Sequence, residues 1–257
     1  MDTIALWELA VLACAALLVG FSKTAVSGAN TVSLALFAAV LPARASTGVL
    51  LPLLIVGDVI AVFTYRRHAH WATLWRLLPA VAVGVVAGWA FMLWADDAAV
   101  RVSIGAILLF MAAVTMWRRR MGADAAAADR PDGGAGGGGG GRVKAGSYGA
   151  LGGFTTMVAN AGGPVMSLYL ISSGFRKLGF LGTSAWFFLI VNVCKVPFSV
   201  GLGLIDRHSL LLDAGLALFV IPGAILGKIC VDRIDQLLFE RLVIAATVLG
   251  GAQLLLR

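Results

Sequence analysis

The chain has 257 residues, 60% of them apolar and 13% charged, with a net charge of +7 and a mean hydropathy of +0.94. Soluble domains carry about 25% charged residues, so this composition excludes a soluble globular domain and implies a polytopic membrane protein. Its basic residues sit in short loops between apolar runs, which marks them as topology signals and not as a nucleic-acid surface.

Apolar runs fall at about 4–21, 26–41, 46–65, 73–95, 99–117, 146–159, 164–174, 180–204, 209–230 and 238–256. All are expected to be helical, because unpaired backbone groups cannot face lipid. The expected fold class is therefore an all-α polytopic membrane protein. A full crossing needs about 20 residues. The runs at 26–41, 146–159 and 164–174 fall short of that, and "SGAN" (27–30) and "NAGGP" (160–164) interrupt them. A broken or re-entrant hairpin is expected to lead each half. Such backbone is tolerated at membrane depth only where it is buried or lines a cavity.

The N-terminus "MDTIALWELA" lacks a basic n-region, so no cleaved signal peptide is expected. Cys14, Cys194 and Cys230 lie in apolar segments without metal-ligand spacing and read as small core residues. No cofactor or metal is expected. His68, His70 and His208 form no catalytic set, "GRVKAGSYG" is not a P-loop, and the chain reads as a non-enzyme.

Three parts follow from these runs. Residues 1–120 form a first transmembrane repeat, 121–143 a Gly/Ala-rich cytoplasmic linker, and 144–257 a second repeat. Gly20-Phe21 matches Gly153-Phe154, Ser33 matches Ser167, Gly48 matches Gly182, and Asp58 matches Asn192. Gly84 and Gly88 match Gly223 and Gly227, a spacing suited to helix packing. With five segments per half the parity is odd, so the second repeat is expected to be inverted, as in secondary transporters. One face then receives Arg66, Arg67, Arg76, Arg118, Arg119, Arg120, Arg130, Arg142, Lys144, Arg176, Lys177, Lys228, Arg233 and Arg241. The other receives Arg44, Arg101, Arg207 and Arg257. The positive-inside rule makes the first face cytoplasmic and puts both termini outside. Only Lys23 and Lys195 are left within apolar segments.

A lysine at the centre of a membrane helix costs roughly 2.5–3.5 kcal/mol on insertion scales. Lys195 shares one helical stripe with Ser184, Phe188, Asn192 and Ser199. That stripe is expected to face a cavity, or else a buried lock with Asp58. Asp58 holds the matching position of the first half, on one face with Thr47 and Tyr65. It reads as a counter-ion to Lys195 or Lys23, or as a proton-coupling group. Lys23, in "GFSKTAVSGAN", is expected at a broken-helix tip or at the membrane interface. Gly162 and Gly163 before Pro164 suit the first turn of a new helix, whose free N–H groups attract anions. An unliganded packed hairpin is the alternative there.

"GFSKTAVSGAN", "LPARASTGVLLPLLIVGDVIAVFTYRRHAHW", "NAGGPVMSLYL" and "FLGTSAWFFLIVNVCKVPF" closely resemble the sulfite exporter TauE/SafE family of bacterial membrane permeases. The resemblance covers about residues 15–256 without the linker. It implies two inverted helical repeats and transport of sulfite or a small organosulfur anion such as sulfoacetate across the cytoplasmic membrane, often as export. The positions in matching strings are Lys23, Thr24, Asp58, Asn160, Gly163, Pro164, Thr183, Asn192 and Lys195. "SGAN" departs from the Gly-rich turn common in the family and shifts weight to the turn at Gly162–Pro164. The expected partners are the lipid bilayer, a small anionic substrate and protons as coupling ion. A passive anion channel and a carrier of small carboxylates or other inorganic anions are the alternatives.

Overall fold

A computed structural model describes residues 5–25, 30–120, 139–175, 177–230 and 236–256. Among the described residues are ten α-helices and no strand. The first half holds α1 (Leu6–Thr24), α2 (Asn30–Val40), α3 (Ala43–Tyr65), α4 (Trp71–Trp94) and α5 (Asp97–Arg120). The second holds α6 (Gly139–Ala159), α7 (Gly162–Ser172), α8 (Lys177–Gly201), α9 (Arg207–Cys230) and α10 (Gln236–Leu256). Six of these helices, α1, α3, α4, α5, α8 and α9, are long and apolar enough to cross a bilayer. The protein is an all-helical, polytopic membrane protein.

Burial patterns follow from helix periodicity. In α4 the buried residues Leu74, Leu77, Val81, Gly84, Gly88 and Met92 recur every three or four positions, while Trp75, Val83 and Val86 point outward. That outward face is apolar, as a lipid-facing surface must be. Exposed tryptophans mark the helix ends: Trp71, Trp75 and Trp117 at one side, Trp7 and Trp94 at the other. In α4, Trp71 and Trp94 lie about 35 Å apart at 1.5 Å per residue, close to the thickness of a bilayer with its interfaces, where such rings collect.

The second half opens on a broken pair, as expected. α6 stops at Ala159, and Asn160 adopts the left-handed conformation at φ 51°. Asparagine is among the few side chains that tolerate it. α7 then runs for only 11 residues, about 16 Å, half of a bilayer core. α2 has the same length. Residues 26–29 of the first-half turn lie outside the described residues; Asn30 opens α2. Residues 121–138 of the Gly/Ala-rich linker also lie outside them. α6 begins at Gly139, so the last five residues of that stretch are helical. Extending an existing helix is easier than nucleating one.

Packing pairs the halves with each other. α1 lies on α9 and α4 lies on α6; α3 crosses α8, and α5 meets α10. Glycines permit close approach in the first two pairs. Gly20 faces the Val220 carbonyl and Gly223 the Leu17 carbonyl; in the other pair Gly153 faces the Val81 carbonyl and Gly84 the Ala150 carbonyl. A Cβ at any of the four would overlap those backbone atoms. Along both pairs the residue numbers rise together, so α1 runs parallel to α9 and α4 parallel to α6. α3 and α8 run antiparallel: Gly48 lies against Leu204, and Gly182 against Tyr65 and His68. Each of these contacts has its counterpart when the halves are exchanged. At the middle of the α3–α8 crossing, the matched residues Asp58 and Asn192 meet.

Candidate functional site

The α3–α8 crossing carries a buried polar cluster. The stripe of α8 faces inward along its whole length: Ser184, Phe188, Asn192, Lys195 and Ser199 are buried, whereas Val193 and Val200 on the opposite face are exposed. Asp58 is fully buried. Its Oδ1 lies 2.6 Å from the Lys23 ammonium, and its Oδ2 accepts a hydrogen bond of 2.7 Å from Asn192 Nδ2. Lys23 also stands 4.6 Å from the Phe188 ring centroid, a cation–π contact. A carboxylate removed from water is tolerable only when paired and hydrogen-bonded in this way.

Lys195 is 1% exposed and is held by the break in the second half. It donates to the Thr156 carbonyl at 2.5 Å and to Asn160 Oδ1 at 2.6 Å. The Thr156 carbonyl also accepts the N–H of Asn160. Asn160 Nδ2 reaches across to the Thr47 carbonyl of α3 at 2.9 Å, and Asn30 Nδ2 donates to the Asn160 carbonyl at 3.4 Å. The helix break is thus tied to α8 within its own half and to α2 and α3 of the other.

These residues surround a cavity. Lys23, Asp58, Asn160, Gly163 and Asn192 line it, with Ser22, Asn30, Thr156, Ser184 and Phe188 beside them and Leu54, Ala61, Leu181 and Ala185 completing the wall. The first turn of α7 opens onto it at Gly163, and the first N–H groups of a helix have no intrahelical acceptor. Asn30 Oδ1, Asn192 Oδ1 and Ser184 Oγ are buried in this wall without a hydrogen-bond partner among the described residues. Buried polar atoms are rarely left so; the two amide oxygens can only accept, whereas the Ser184 hydroxyl can donate to a solute in the cavity.

The other candidates lie elsewhere. Lys195 is not in the wall itself but stands behind Thr156 and Asn160. Thr24 donates to the Ala224 carbonyl at 2.8 Å and fastens α1 to α9. Thr183 accepts the His70 N–H at 3.0 Å, near the α3–α4 turn. Gly162 packs against Thr156 and the Gly152 carbonyl, and Pro164 does not reach the cavity wall. Three polar wall residues went unselected in the sequence: Ser22, Asn30 and Thr156. Ser184 sits on the stripe that singled out Lys195, and Ser22 and Asn30 sit in the string that contains Lys23. Thr156 carried no such signal, because it acts on Lys195 through its backbone carbonyl. Among the described residues no cluster of His, Cys, Asp or Glu suits a metal ion.

Fold and site together define a polytopic helical membrane protein with a charged polar cavity walled by both of its halves. The family model for Sulfite exporter TauE/SafE matches residues 12–254, and the chain belongs to that family. Membership implies a membrane transporter of sulfite-type anions. No curated protein and no solved structure matches the chain.

Proposed function

We propose that the protein is a secondary transporter that exports sulfite or a small organosulfur anion across the cytoplasmic membrane by alternating access. The observation that carries this reading is an ammonium group, that of Lys23, facing a buried cavity between two halves whose contacts exchange with one another. Lys23 attracts the anion. Asn192 and Ser184 hydrogen-bond its oxygens, and the first turn of α7 adds backbone N–H groups at Gly163. Lys195 contributes positive charge from behind the wall and fixes Asn160. Asp58 pairs with Lys23 and is the coupling group. The halves form inverted repeats that rock about the site, with both termini outside and the linker in the cytoplasm.

The test is flux in proteoliposomes. Saturable sulfite transport driven by an imposed gradient is expected from the wild type. Lys23→Met is expected to lower it at least tenfold while the protein still inserts. Wild-type flux in that variant, or flux that never saturates, overturns the reading.

A further inference from the structure

The charges around the cavity are few enough to count. With both lysines protonated, Lys23 and Lys195 bring two positive charges and an ionised Asp58 one negative, which leaves one positive charge to be neutralised. Ionisable groups on the other elements packed against α3 are remote from Asp58. α2 has none. On α9 the residue at this level is Val220, beside Gly57; Asp213 and Lys228 lie seven and eight residues away, about 10 Å or more. The α3–α5 contact engages Asp97 with Arg44, 14 residues from Asp58 and about 20 Å along α3. A 3-10 turn, Arg66–His68, follows α3 and begins eight residues beyond Asp58. The cations nearest to Asp58 among the described residues are Lys23 of α1, which pairs with it, and Lys195 of α8, one turn beyond the Asn192 that donates to it.

An anion in this cavity must balance that charge, because an unpaired charge away from water is far costlier than a paired one. A monoanion balances it with Asp58 ionised. Spare N–H bonds on Lys23 and the Ser184 hydroxyl are available to it, and the Asp58 bonds stay in place. A dianion brings one negative charge too many, and Asp58 is, among the described residues, the one carboxylate in the wall that can remove it by taking up a proton. We propose that Asp58 sets the proton stoichiometry of this site: a monoanion binds alone, and a dianion binds together with one proton on the Asp58 carboxylate. This rests on the anion-site reading above and adds to it which charge state of substrate is coupled to protons.

Binding of sulfate and of methanesulfonate to the purified, detergent-solubilised full chain, followed by calorimetry between about pH 5.5 and 8, tests the proposal. Both probes keep a fixed charge over this range, which sulfite does not. In the wild type, sulfate affinity is expected to fall about tenfold per pH unit, the signature of one proton taken up on binding, while methanesulfonate affinity stays flat. Asp58→Asn is expected to bind sulfate with no pH dependence, and Asp58→Glu to restore it. A flat sulfate profile in the wild type overturns the inference and leaves the transporter reading standing. A sulfate slope that persists in Asp58→Asn overturns it too, by placing the proton elsewhere. If neither anion binds the wild type saturably at any pH, the anion-site reading fails and the inference with it. Should Asp58→Asn not fold, the contrast between the two probes in the wild type still decides.

Discussion

Lys195 and Asn160 hold the helix break of the second half in place. Removing the Lys195 ammonium leaves Asn160 Oδ1 without its donor, while the Thr156 carbonyl keeps the Asn160 N–H; one buried unsatisfied group costs about 1–3 kcal/mol. Lys195→Met keeps the length and apolar stem of the side chain. It is expected to insert, to melt several degrees lower, and to lose at least nine-tenths of sulfite flux; a variant with wild-type flux removes Lys195 from the machinery. Asn160 combines a left-handed backbone with three tethers. Asn160→Gly and Asn160→Ala both lose the side-chain bonds, but glycine adopts the φ of 51° freely and alanine pays about 1–2 kcal/mol for it. Thermal melts are expected to rank wild type above Asn160→Gly and Asn160→Gly above Asn160→Ala. Equal melting of the two variants would mean that the backbone at the break relaxes.

At the level of helices, the molecule rests on two parallel pairs, α1 with α9 and α4 with α6, each brought close by glycine. In lipid no hydrophobic drive holds helices together, so close van der Waals packing does that work. Gly84→Val and Gly223→Val place branched side chains against the Ala150 and Leu17 carbonyls. Each is expected to reduce the yield of monodisperse protein severalfold by fluorescence-detected gel filtration. Gly215, on the same helix as Gly223, faces open space, and Gly215→Ala is expected to be neutral or slightly stabilising, by up to about 1 kcal/mol of helix propensity. A loss from Gly215→Ala equal to that from Gly223→Val would mean that helix contacts do not explain the glycine pattern.

The whole molecule is expected to be inverted in its second half, and the membrane test of that is accessibility. In a cysteine-free background, single cysteines at Arg67 and Gly134 are expected to label only from the cytoplasmic side, and one at Arg207 only from outside. Labelling of positions 67 and 207 from the same side would contradict the odd parity of the repeats. Composition alone determined that the chain lives in a membrane, since its low charge leaves nothing to wet a soluble surface. Helical spacing alone determined that Ser184, Asn192 and Lys195 face inward, because period 3.6 is a local property of α8. The sequence also paired Asp58 with Asn192 by position. Only the tertiary structure decided that these two touch, that Lys23 and not Lys195 is the ion-pair partner of Asp58, and that Thr24 and Thr183 serve helix and turn contacts away from the cavity. Those outcomes depend on which helices become neighbours, across as many as 200 residues of chain for Thr24 and Ala224, and local periodicity carries no information about neighbours so distant.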